Sequence, residues 1–391
     1  MSVSLRCIGV DDEGAGICTG AGESAVHVRG ALPGEVVTAA VEHVSPHRPH
    51  AWGALEAIAW PSPERRAPVC PAFGPCGGCV LQHWDVAAQR AWKTERVRAA
   101  LAAHPALAEV GVEPCVASPL DLGYRNNAKL VCARDAGGAL ILGAYAPRSH
   151  DVVELRGCRI VEAPLDAATV ALAEALRAAG VEPYDERRLT GVLRYAVLRA
   201  NFRGQVLATL VTARRAWAAG AAVAADLVAR CPAVAGVVQN VNPTRGNVIF
   251  GEEEIALGGA PALLEEIGPA RLRLSSRAFF QANRGVAALA YAHIARALGP
   301  VERAVDAYSG VGGIALTLAT QARAVVGIES NAAAIADASA AAANAGITHV
   351  HFVVADAAEG LRALAPGAPG TADAVVLNPP RKGCAPAVLR E

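Results

Sequence analysis

Alternating apolar and polar residues, interrupted by glycines, fill residues 1–60 of the chain. Segments such as 3–10, 24–28 and 35–44 alternate in this way, and glycine-rich stretches separate them. Strands with a period of two that are divided by regular turns are typical of a small closed barrel. The pattern therefore predicts an N-terminal β-barrel over residues 1–60.

A different pattern follows Pro61-Ser62-Pro63. Helical spacing over Val86 to Ala102 predicts a helix that is the most basic short stretch of the chain. Beyond it, strand-like runs alternate with Ala-rich helices predicted over 163–179 and 216–230. The strand-like runs are 128–133, 140–144, 192–200, 205–212 and 234–241. These runs predict a mixed α/β central domain over residues 61–272, and we expect the arginines on its strand faces to be solvated.

The last part of the chain, residues 273–391, alternates regularly between helix and strand. Helices are predicted over 283–297, 313–319 and 332–345, and strands over 303–307, 324–329, 350–355 and 373–377. Such alternation is typical of βαβ units around a parallel sheet. The fold class predicted for the whole chain is therefore α/β with several domains.

Composition narrows the class of protein without indicating a partner. The chain has 391 residues, 53% of them hydrophobic, and a formal net charge of zero. This excludes a disordered chain and a small disulfide-stapled module. The start of the sequence does not resemble a signal peptide and the longest apolar run, 216–225, is too short to span a bilayer, so we expect a cytoplasmic protein.

Three cysteines lie close together after the predicted barrel. Cys70, Cys76 and Cys79 follow the spacing C-x5-C-x2-C, with glycines that let the loop fold back. The spacing matches neither a standard zinc finger nor a standard ferredoxin motif, so an iron–sulfur cluster, a zinc ion and three unmetallated thiols all stay open. Cys158, which follows a strand-like run in a glycine turn, is the best candidate for a fourth ligand.

A second candidate site lies in the C-terminal domain. The predicted strand that ends at Asp306 and Ala307 leads through a glycine turn, 308–313, into a helix. Glu329 ends the next strand, where a carboxylate can bind both ribose hydroxyls, and Asp356 follows the strand after that. The order of acids at successive strand ends, together with the missing third glycine of a dinucleotide motif, favours S-adenosylmethionine as cofactor.

A third motif, Asn378-Pro379-Pro380-Arg381, follows the last predicted strand. An amide and two prolines at the carboxyl end of a strand can form a rigid polar lip that holds a planar base. The alternative is an ordinary Pro-Pro turn.

With these motifs in view, the chain resembles the RNA uracil-5-methyltransferase family, in particular its iron–sulfur branch that methylates large-subunit ribosomal RNA. Residues 9–59 resemble the TRAM domain, an OB-like barrel that binds RNA, and residues 273–391 resemble a Rossmann-like class I methyltransferase domain. Segments 79–83, 124–127 and 279–283 match further family signatures. The resemblance implies that the metal ligands of a [4Fe-4S] cluster are Cys70, Cys76, Cys79 and Cys158.

The resemblance also implies roles for individual side chains. The residues expected to contact S-adenosylmethionine are Gln281, Tyr308, Glu329 and Asn378, with Asp356 near the adenine. Phe279 is expected near a uracil that has left its stack, and we expect either Phe279 or Phe280 to be a core residue. In the family reaction a cysteine thiolate adds to C6 of uracil, C5 takes the methyl group, and a carboxylate removes the C5 proton.

Two departures from the family pattern bear on activity. The family usually has Asp at the position of Asn378, and an amide brings no charge. The nucleophilic cysteine of the family lies in a Ser-Cys-Asn-Pro type motif after the Pro-Pro-Arg segment, and neither it nor the later base carboxylate occurs in these 391 residues. We therefore expect a C-terminally truncated methyltransferase domain. Cys384 lies too close to the Pro-Pro turn to match the nucleophile.

Alternative functions are consistent with the same residues. One is a catalytically inactive RNA-binding protein of this fold, another is a transfer-RNA uracil-5-methyltransferase, and a third is an iron–sulfur electron carrier. RNA is the expected partner, with ribosomal RNA favoured over transfer RNA. We expect a monomer with no membrane contact.

Overall fold

The computed structural model describes residues 2–20, 25–47, 49–246, 248–364 and 371–391. The chain divides into two compact units, one formed by residues 1–118 and 144–155 and the other by residues 119–143 and 156–391. The predicted division at residues 60 and 272 stays a prediction. In the described part of the chain, no helix is both long enough and apolar enough to cross a membrane.

A closed barrel forms the N-terminal part of the first unit, as the alternating pattern predicts. Its strands are β1 (Ser2–Val10), β2 (Ala15–Thr19), β3 (Ala25–Arg29), β4 (Val36–Val44) and β5 (His50–Trp60). They close in the order β1-β2-β3-β5-β4, and the pair β3–β5 is parallel. Every second residue, such as Leu5, Val28 and Val37, points into the barrel core. Ser24, placed in the predicted third strand, lies outside the described residues.

The rest of the first unit consists of a cysteine-containing loop and short elements. Helix α1 (Val86–Ala102) has the predicted bounds, and a 3-10 turn (Pro105–Leu107) and the short strand β8 (Val152–Glu154) complete the unit. The helix begins where it does because the Asp85 carboxylate accepts hydrogen bonds from the amides of Ala87 (2.9 Å) and Ala88 (3.3 Å).

The second unit contains a central mixed sheet. Its strands are β6 (Asn127–Arg134), β7 (Leu140–Tyr145), β9 (Leu193–Ala200), β10 (Val206–Thr212), β11 (Val234–Val241) and β12 (Glu253–Gly259), in the order β12-β11-β10-β9-β6-β7. Helices α2 (Ala163–Ala178) and α3 (Gly220–Arg230) accompany it, and β13 (Ala262–Ile267) pairs with β14 (Ala270–Ser275). The mixed α/β prediction is confirmed. The expectation of solvated arginines is wrong for Arg194 and Arg199, which are buried.

A parallel sheet forms the C-terminal part of the second unit. Its strands are β15 (Val301–Ala307), β16 (Ala322–Glu329), β17 (Val350–Val354) and β18 (Ala374–Leu377), and its helices are α4 (Arg284–Leu298), α5 (Gly313–Leu318), α6 (Ala332–Asn344) and α7 (Ala357–Arg362). The strand order is β17-β16-β15-β18, with every pair parallel. This is the Rossmann-like arrangement that the alternating pattern predicts. Its carboxyl strand ends meet at one edge, where such sheets bind ligands.

Candidate cofactor and substrate site

The loop between β15 and α5 is a tight glycine turn. Tyr308, Gly310 and Gly312 all have positive φ, at 66°, 54° and 83°. A side chain at Gly312 would also bring its Cβ within 2.8 Å of the Phe352 ring. Only glycine is accommodated there, and Tyr308 adopts a conformation that non-glycine residues rarely take outside functional loops. The loop therefore brings bare backbone to the edge where a cofactor would bind.

Glu329 lies across this loop at the end of β16. Its Oε2 accepts the Gly310 amide at 3.2 Å, and its Oε1 accepts the Asn331 amide at 2.9 Å and the Ser330 hydroxyl at 3.1 Å. The side chain is half-buried. A carboxylate has about four lone-pair positions, so the oriented group keeps acceptor capacity for vicinal hydroxyls.

Asp306 lies under the loop, completely buried at the end of β15. Its Oδ2 accepts the Ala315 amide at 2.9 Å, whereas its Oδ1 and the Ser309 hydroxyl have no hydrogen-bond partner in the described part of the chain. Burial raises the pKa of Asp306 to about 7, and the negative charge of Glu329 acts in the same direction. Orphaned buried polar atoms are uncommon away from functional sites, so these two atoms are consistent with a ligand-binding loop.

Tyr308 and Asp356 lie near each other at the carboxyl edge of the sheet. Removal from water raises the pKa of the Tyr308 phenol, and the neighbouring Cys384 thiol and Asp356 carboxylate raise it further. The Asp356 side chain is exposed and caps α7 by accepting the Ala358 amide at 2.9 Å. Asn378 is exposed after β18, the strand beside β15, and its amide donates to the Ala307 carbonyl at 3.5 Å. The strand ends thus bring together Tyr308, Glu329, Asp356 and Asn378.

The segment 279–283 is held in place through its backbone carbonyls. Asn126, which belongs to the signature 124–127, donates its amide N–H to the Ala282 carbonyl at 2.9 Å and its Nδ2 to the Gln281 carbonyl at 3.0 Å. The Arg199 guanidinium, from β9, donates to the Ala278 carbonyl. The two sequence signatures therefore contact each other, and the contacts hold the backbone on both sides of Phe279.

The two adjacent phenylalanines have opposite environments. Phe279 is 71% exposed, whereas Phe280 is 5% exposed and belongs to the same hydrophobic core as Val311 and Ile314 of the glycine turn and α5. One of the two is thus a core residue, as expected. Gln281, the next residue, is half-buried.

The helix that follows this segment is anchored by its first residues. The Asn283 side chain caps α4 by accepting the Val286 amide at 3.0 Å. The Arg284 guanidinium donates to both carboxylate oxygens of Glu265 at 3.0 Å and to Glu162 at 2.8 Å. These buried or half-buried ion pairs fix the direction in which the chain leaves the segment.

The cysteines predicted to bind a cluster are divided between the two units. Cys70, Cys76 and Cys79 belong to the first unit and Cys158 to the second. The Gly78 amide donates to the Cys76 sulfur at 3.3 Å, a contact typical of a loop that can hold thiolates. Across the described ranges, however, no group of three His, Cys, Asp or Glu side chains is placed to hold a metal ion. The structure therefore does not support the [4Fe-4S] prediction.

Sequence patterns missed several residues that shape this site. Asp306 was recognised only as the acidic end of a strand, and the roles of Arg199 and the Arg284–Glu265 pair had no local signal. Arg199 lies in β9, a strand that is apolar on both faces. This position was the one available indication that its side chain is buried and hydrogen-bonded.

A scan against models of known protein families finds no match. The chain is 38% identical over 396 residues to the Uncharacterized RNA methyltransferase GSU1452 of Geobacter sulfurreducens, covering 100% of this chain and 78% of that protein. It is 33% identical over 393 residues to the Uncharacterized RNA methyltransferase BH0897 of Halalkalibacterium halodurans, covering 99% of this chain and 83% of that protein.

Among solved structures, the chain is similar to the Pyrococcus abyssi tRNA (uracil-54, C5)-methyltransferase in complex with S-adenosyl-L-homocysteine. The TM-score is 0.77 and the identity 21%, with 100% of this chain and 86% of the other covered. The two proteins therefore share a fold.

The parallel sheet, its glycine turn and the carboxylate at the end of β16 form the type of arrangement on which α/β proteins bind nucleoside-containing cofactors. At the identities above, the chain belongs to the family of RNA methyltransferases. The expectation of an RNA-methylating enzyme family is confirmed.

Proposed function

We propose that this protein transfers a methyl group from S-adenosylmethionine to C5 of a uridine in RNA. The observation that carries the proposal is the arrangement around the glycine turn. The Glu329 carboxylate is oriented by the Gly310 amide at the end of the parallel sheet. The hydrophobic core of this sheet includes Phe280, and the neighbouring Phe279 is exposed. The fold shared with a tRNA uracil-C5 methyltransferase supports it.

The methyl donor is a substrate, and it supplies an electrophilic methyl group on a sulfonium sulfur. We propose that the Glu329 carboxylate accepts from both ribose hydroxyls of the donor, because its oxygens are already oriented by the Gly310 and Asn331 amides. We propose that Asp356 lies near the adenine and that Tyr308, Gln281 and Asn378 complete the contacts to the donor.

Phe279 is proposed to hold the target base. A uracil inside an RNA helix cannot reach the reacting atoms, so it must leave its stack, and an exposed aromatic ring can replace the lost stacking. The contacts from Arg199 and Asn126 hold the backbone on both sides of this exposed ring.

The proposed chemistry uses a covalent adduct. A cysteine thiolate adds to C6 of the uracil, the resulting enolate carbon C5 attacks the methyl group, and a carboxylate removes the C5 proton so that the thiolate leaves. By resemblance to the family, the thiolate belongs to a Ser-Cys-Asn-Pro type motif, which these 391 residues do not contain.

Methyl transfer tests the proposal directly. The protein, expressed from its complete reading frame, is incubated with methyl-labelled S-adenosylmethionine and with unmodified ribosomal or transfer RNA, and the product base is mapped. We expect 5-methyluridine, with ribosomal RNA as the favoured substrate. A label on ribose, on a ring nitrogen or on another base would contradict the proposal.

The adduct has a separate test. RNA that contains 5-fluorouridine should trap a protein–RNA complex that survives denaturation, because fluorine at C5 cannot leave as a proton. The variant Cys384→Ser should still form the complex, since Cys384 lies beside Tyr308 at the Pro-Pro turn and does not match the family nucleophile. Loss of the complex in this variant alone would instead identify Cys384 as the nucleophile.

The iron–sulfur cluster stays a hypothesis carried by the cysteine spacing. Anaerobically purified protein should contain iron and sulfide, and the variant Cys76→Ser should lose both. The matched control is Cys132→Ser, a cysteine buried within β6. Zinc in place of iron, or equal metal content in the two variants, would contradict the hypothesis.

A further inference from the structure

Two cysteines face each other inside the N-terminal barrel. Cys7 on β1 and Cys18 on β2 are register partners in an antiparallel strand pair, and both thiols are free. Their side chains belong to the same core cluster and are 1% and 0% exposed. Both sulfur atoms therefore project from one face of the β1–β2 hairpin into the barrel core.

The backbone hydrogen bonds of Cys7 show which kind of cross-strand pair this is. The Cys7 amide donates to the Glu35 carbonyl at 2.9 Å, and the Cys7 carbonyl accepts from the Gly34 amide at 2.9 Å. Both groups are thus used on the side of β1 away from β2, which makes Cys7 and Cys18 a non-hydrogen-bonded pair. In such pairs the Cα atoms are about 4.5 Å apart, within the range of about 4.4–6.8 Å that a disulfide spans.

The facing strand leaves room for the Cys7 sulfur. A Cβ at Gly16 would lie 2.8 Å from the Cys7 Sγ and 2.7 Å from the Ala31 carbonyl oxygen, so only glycine fits there. The Cys7 thiol donates to the Gly9 carbonyl at 3.3 Å, and the Cys18 thiol donates to the Gly16 carbonyl at 3.6 Å. Because a thiol is a weak donor, either contact is readily lost when the sulfur forms a covalent bond.

The two thiols differ in acidity. Contact with the Cys18 thiol lowers the pKa of Cys7, and the Arg65 guanidinium acts in the same direction, although burial opposes both. The pKa of Cys18 is raised by contact with Cys7 and by burial. Because the thiolate is the nucleophile, Cys7 is the attacking sulfur and Cys18 is the sulfur that completes the bond.

We propose that the Cys7–Cys18 pair is an oxidation site at which hydrogen peroxide produces a reversible disulfide. The enclosed position favours a small peroxide over a bulky disulfide oxidant, which would have to open the barrel to reach either sulfur. Neither RNA nor the methyl donor takes part, so the site is independent of the proposed function.

The reaction has two steps. The Cys7 thiolate attacks one oxygen of hydrogen peroxide, the O–O bond breaks, and Cys7 becomes a sulfenic acid while the other oxygen leaves as water with the Cys7 proton. The Cys18 sulfur then attacks the Cys7 sulfur, the S–O bond breaks, and the hydroxyl group leaves as water with the Cys18 proton. The two thiols lose two electrons in all, and the peroxide is reduced to two waters.

A single tryptic peptide reports on the pair. Cleavage after Arg6 and Arg29 releases residues 7–29. Cys7 and Cys18 are the only cysteines of this peptide. The folded whole protein is treated with hydrogen peroxide, catalase stops the reaction, and iodoacetamide in urea alkylates every remaining thiol before digestion and mass spectrometry. We expect the peptide to be two hydrogen masses lighter than the dithiol and to carry no alkyl group. Dithiothreitol before alkylation should restore both alkylation sites.

Cys132 is the matched control. It is 4% exposed, but its register partner is Leu142, so it has no thiol opposite it. Its tryptic peptide, residues 130–134, should keep its one alkylation site after the same treatment. Loss of this site as fast as the two sites of the barrel peptide would show general oxidation of buried thiols and would overturn the assignment of a specific site.

The variant Cys18→Ser tests the order of the two steps. The Cys7 sulfenic acid then has no second sulfur and should be oxidised further to sulfinic acid, which adds two oxygen atoms to the peptide. An unoxidised Cys7 in this variant would overturn its role as the attacking sulfur. Two retained alkylation sites in the folded parent protein would overturn the site itself, whether or not the same cysteines form a bond in urea.

Discussion

Two completely buried carboxyl groups, one in each unit, differ in the number of hydrogen bonds they accept and in the direction of their pKa shifts. Glu35 in the barrel accepts from the Arg65 guanidinium through both oxygens, at 2.5 and 2.7 Å, and from the amides of Leu32 and Ser62. Burial alone would raise the pKa of Glu35, but these hydrogen bonds hold it below its ordinary value. Asp306 in the parallel sheet receives one amide, and burial raises its pKa to about 7.

The difference indicates what each group does. A buried carboxylate whose lone pairs are all used joins parts of the fold, as Glu35 joins the 30–35 turn to the segment after β5. A buried carboxyl group with an unused oxygen costs stability and is found preferentially where a ligand binds. The barrel carboxylate is therefore structural, whereas the one under the glycine turn belongs to the proposed cofactor site.

The largest effect is expected from breaking the barrel pair. Arg65→Ala leaves the Glu35 charge buried without its cation and should lower the free energy of unfolding by about 3–5 kcal/mol. Urea denaturation followed by circular dichroism measures this. Arg66→Ala, which removes an exposed pair with Asp85, should cost less than about 1 kcal/mol. Similar losses in both variants would contradict a structural role for Glu35.

Opposite pH dependences should follow from the two carboxyl groups. The pKa of Asp306 is raised in the folded state from an ordinary 3.8, so its contribution to stability is present at low pH and is lost as the pH rises through about 7. The stability of Asp306→Asn relative to the parent should therefore rise by about 3 kcal/mol between pH 5 and pH 8.

The contribution of Glu35 to stability depends on pH in the opposite direction. Its pKa is lowered in the folded state, so its contribution is present above the ordinary 4.5 and is lost as the pH falls below that value. Denaturation at a series of pH values tests both. Parallel stability profiles for Asp306→Asn and the parent would show that Asp306 is not a buried acid with a raised pKa.

A smaller effect is expected where Arg199 holds the segment around Phe279. Arg199→Lys loses the planar donor to the Ala278 carbonyl, and a slight displacement of Phe279 should reduce kcat for methyl transfer about a hundredfold with little change in RNA affinity. Arg203→Lys, exposed in the loop after β9, is the matched control. A parent-like kcat in Arg199→Lys would rule out a positioning role.

The smallest effect is expected at the rim of the cofactor site. Glu329→Gln keeps the shape of the side chain but weakens its acceptance from ribose hydroxyls, so affinity for S-adenosylhomocysteine should fall about tenfold, or about 1.4 kcal/mol. Isothermal titration calorimetry measures it. Glu302→Gln, exposed on β15, should bind as the parent does. If both variants bind equally, Glu329 does not contact the ligand.

Much of the fold was predictable because its elements have local periods. Helix α1 has the predicted bounds, and the predicted C-terminal helices and strands agree with the structure within two residues at each end, whereas the short helix α7 was not predicted. Strands β12, β13 and β14 were not predicted, since Glu253–Gly259 and the hairpin after it carry many exposed charged and glycine residues. Closure of the barrel was predicted, but the parallel β3–β5 pair that closes it has no local signal.

The candidate site likewise has features that the sequence predicts and features that it does not. The glycine turn and the acids at strand ends follow from short patterns, because a positive φ and the end of a strand are local properties. The burial of Arg199 depends on β6 and on residue 278, which are distant along the chain.

By itself the sequence determined most of the strands and helices in their order, the positions of the glycines and the acids at the edge of the proposed cofactor site. Only the tertiary structure decided that Phe280 enters the core while Phe279 stays outside, that Glu35 is fully bonded while Asp306 is not, and that Cys7 lies opposite Cys18. The physical reason is that periodicity reports the faces of one element, whereas burial and hydrogen bonding depend on partners from other elements.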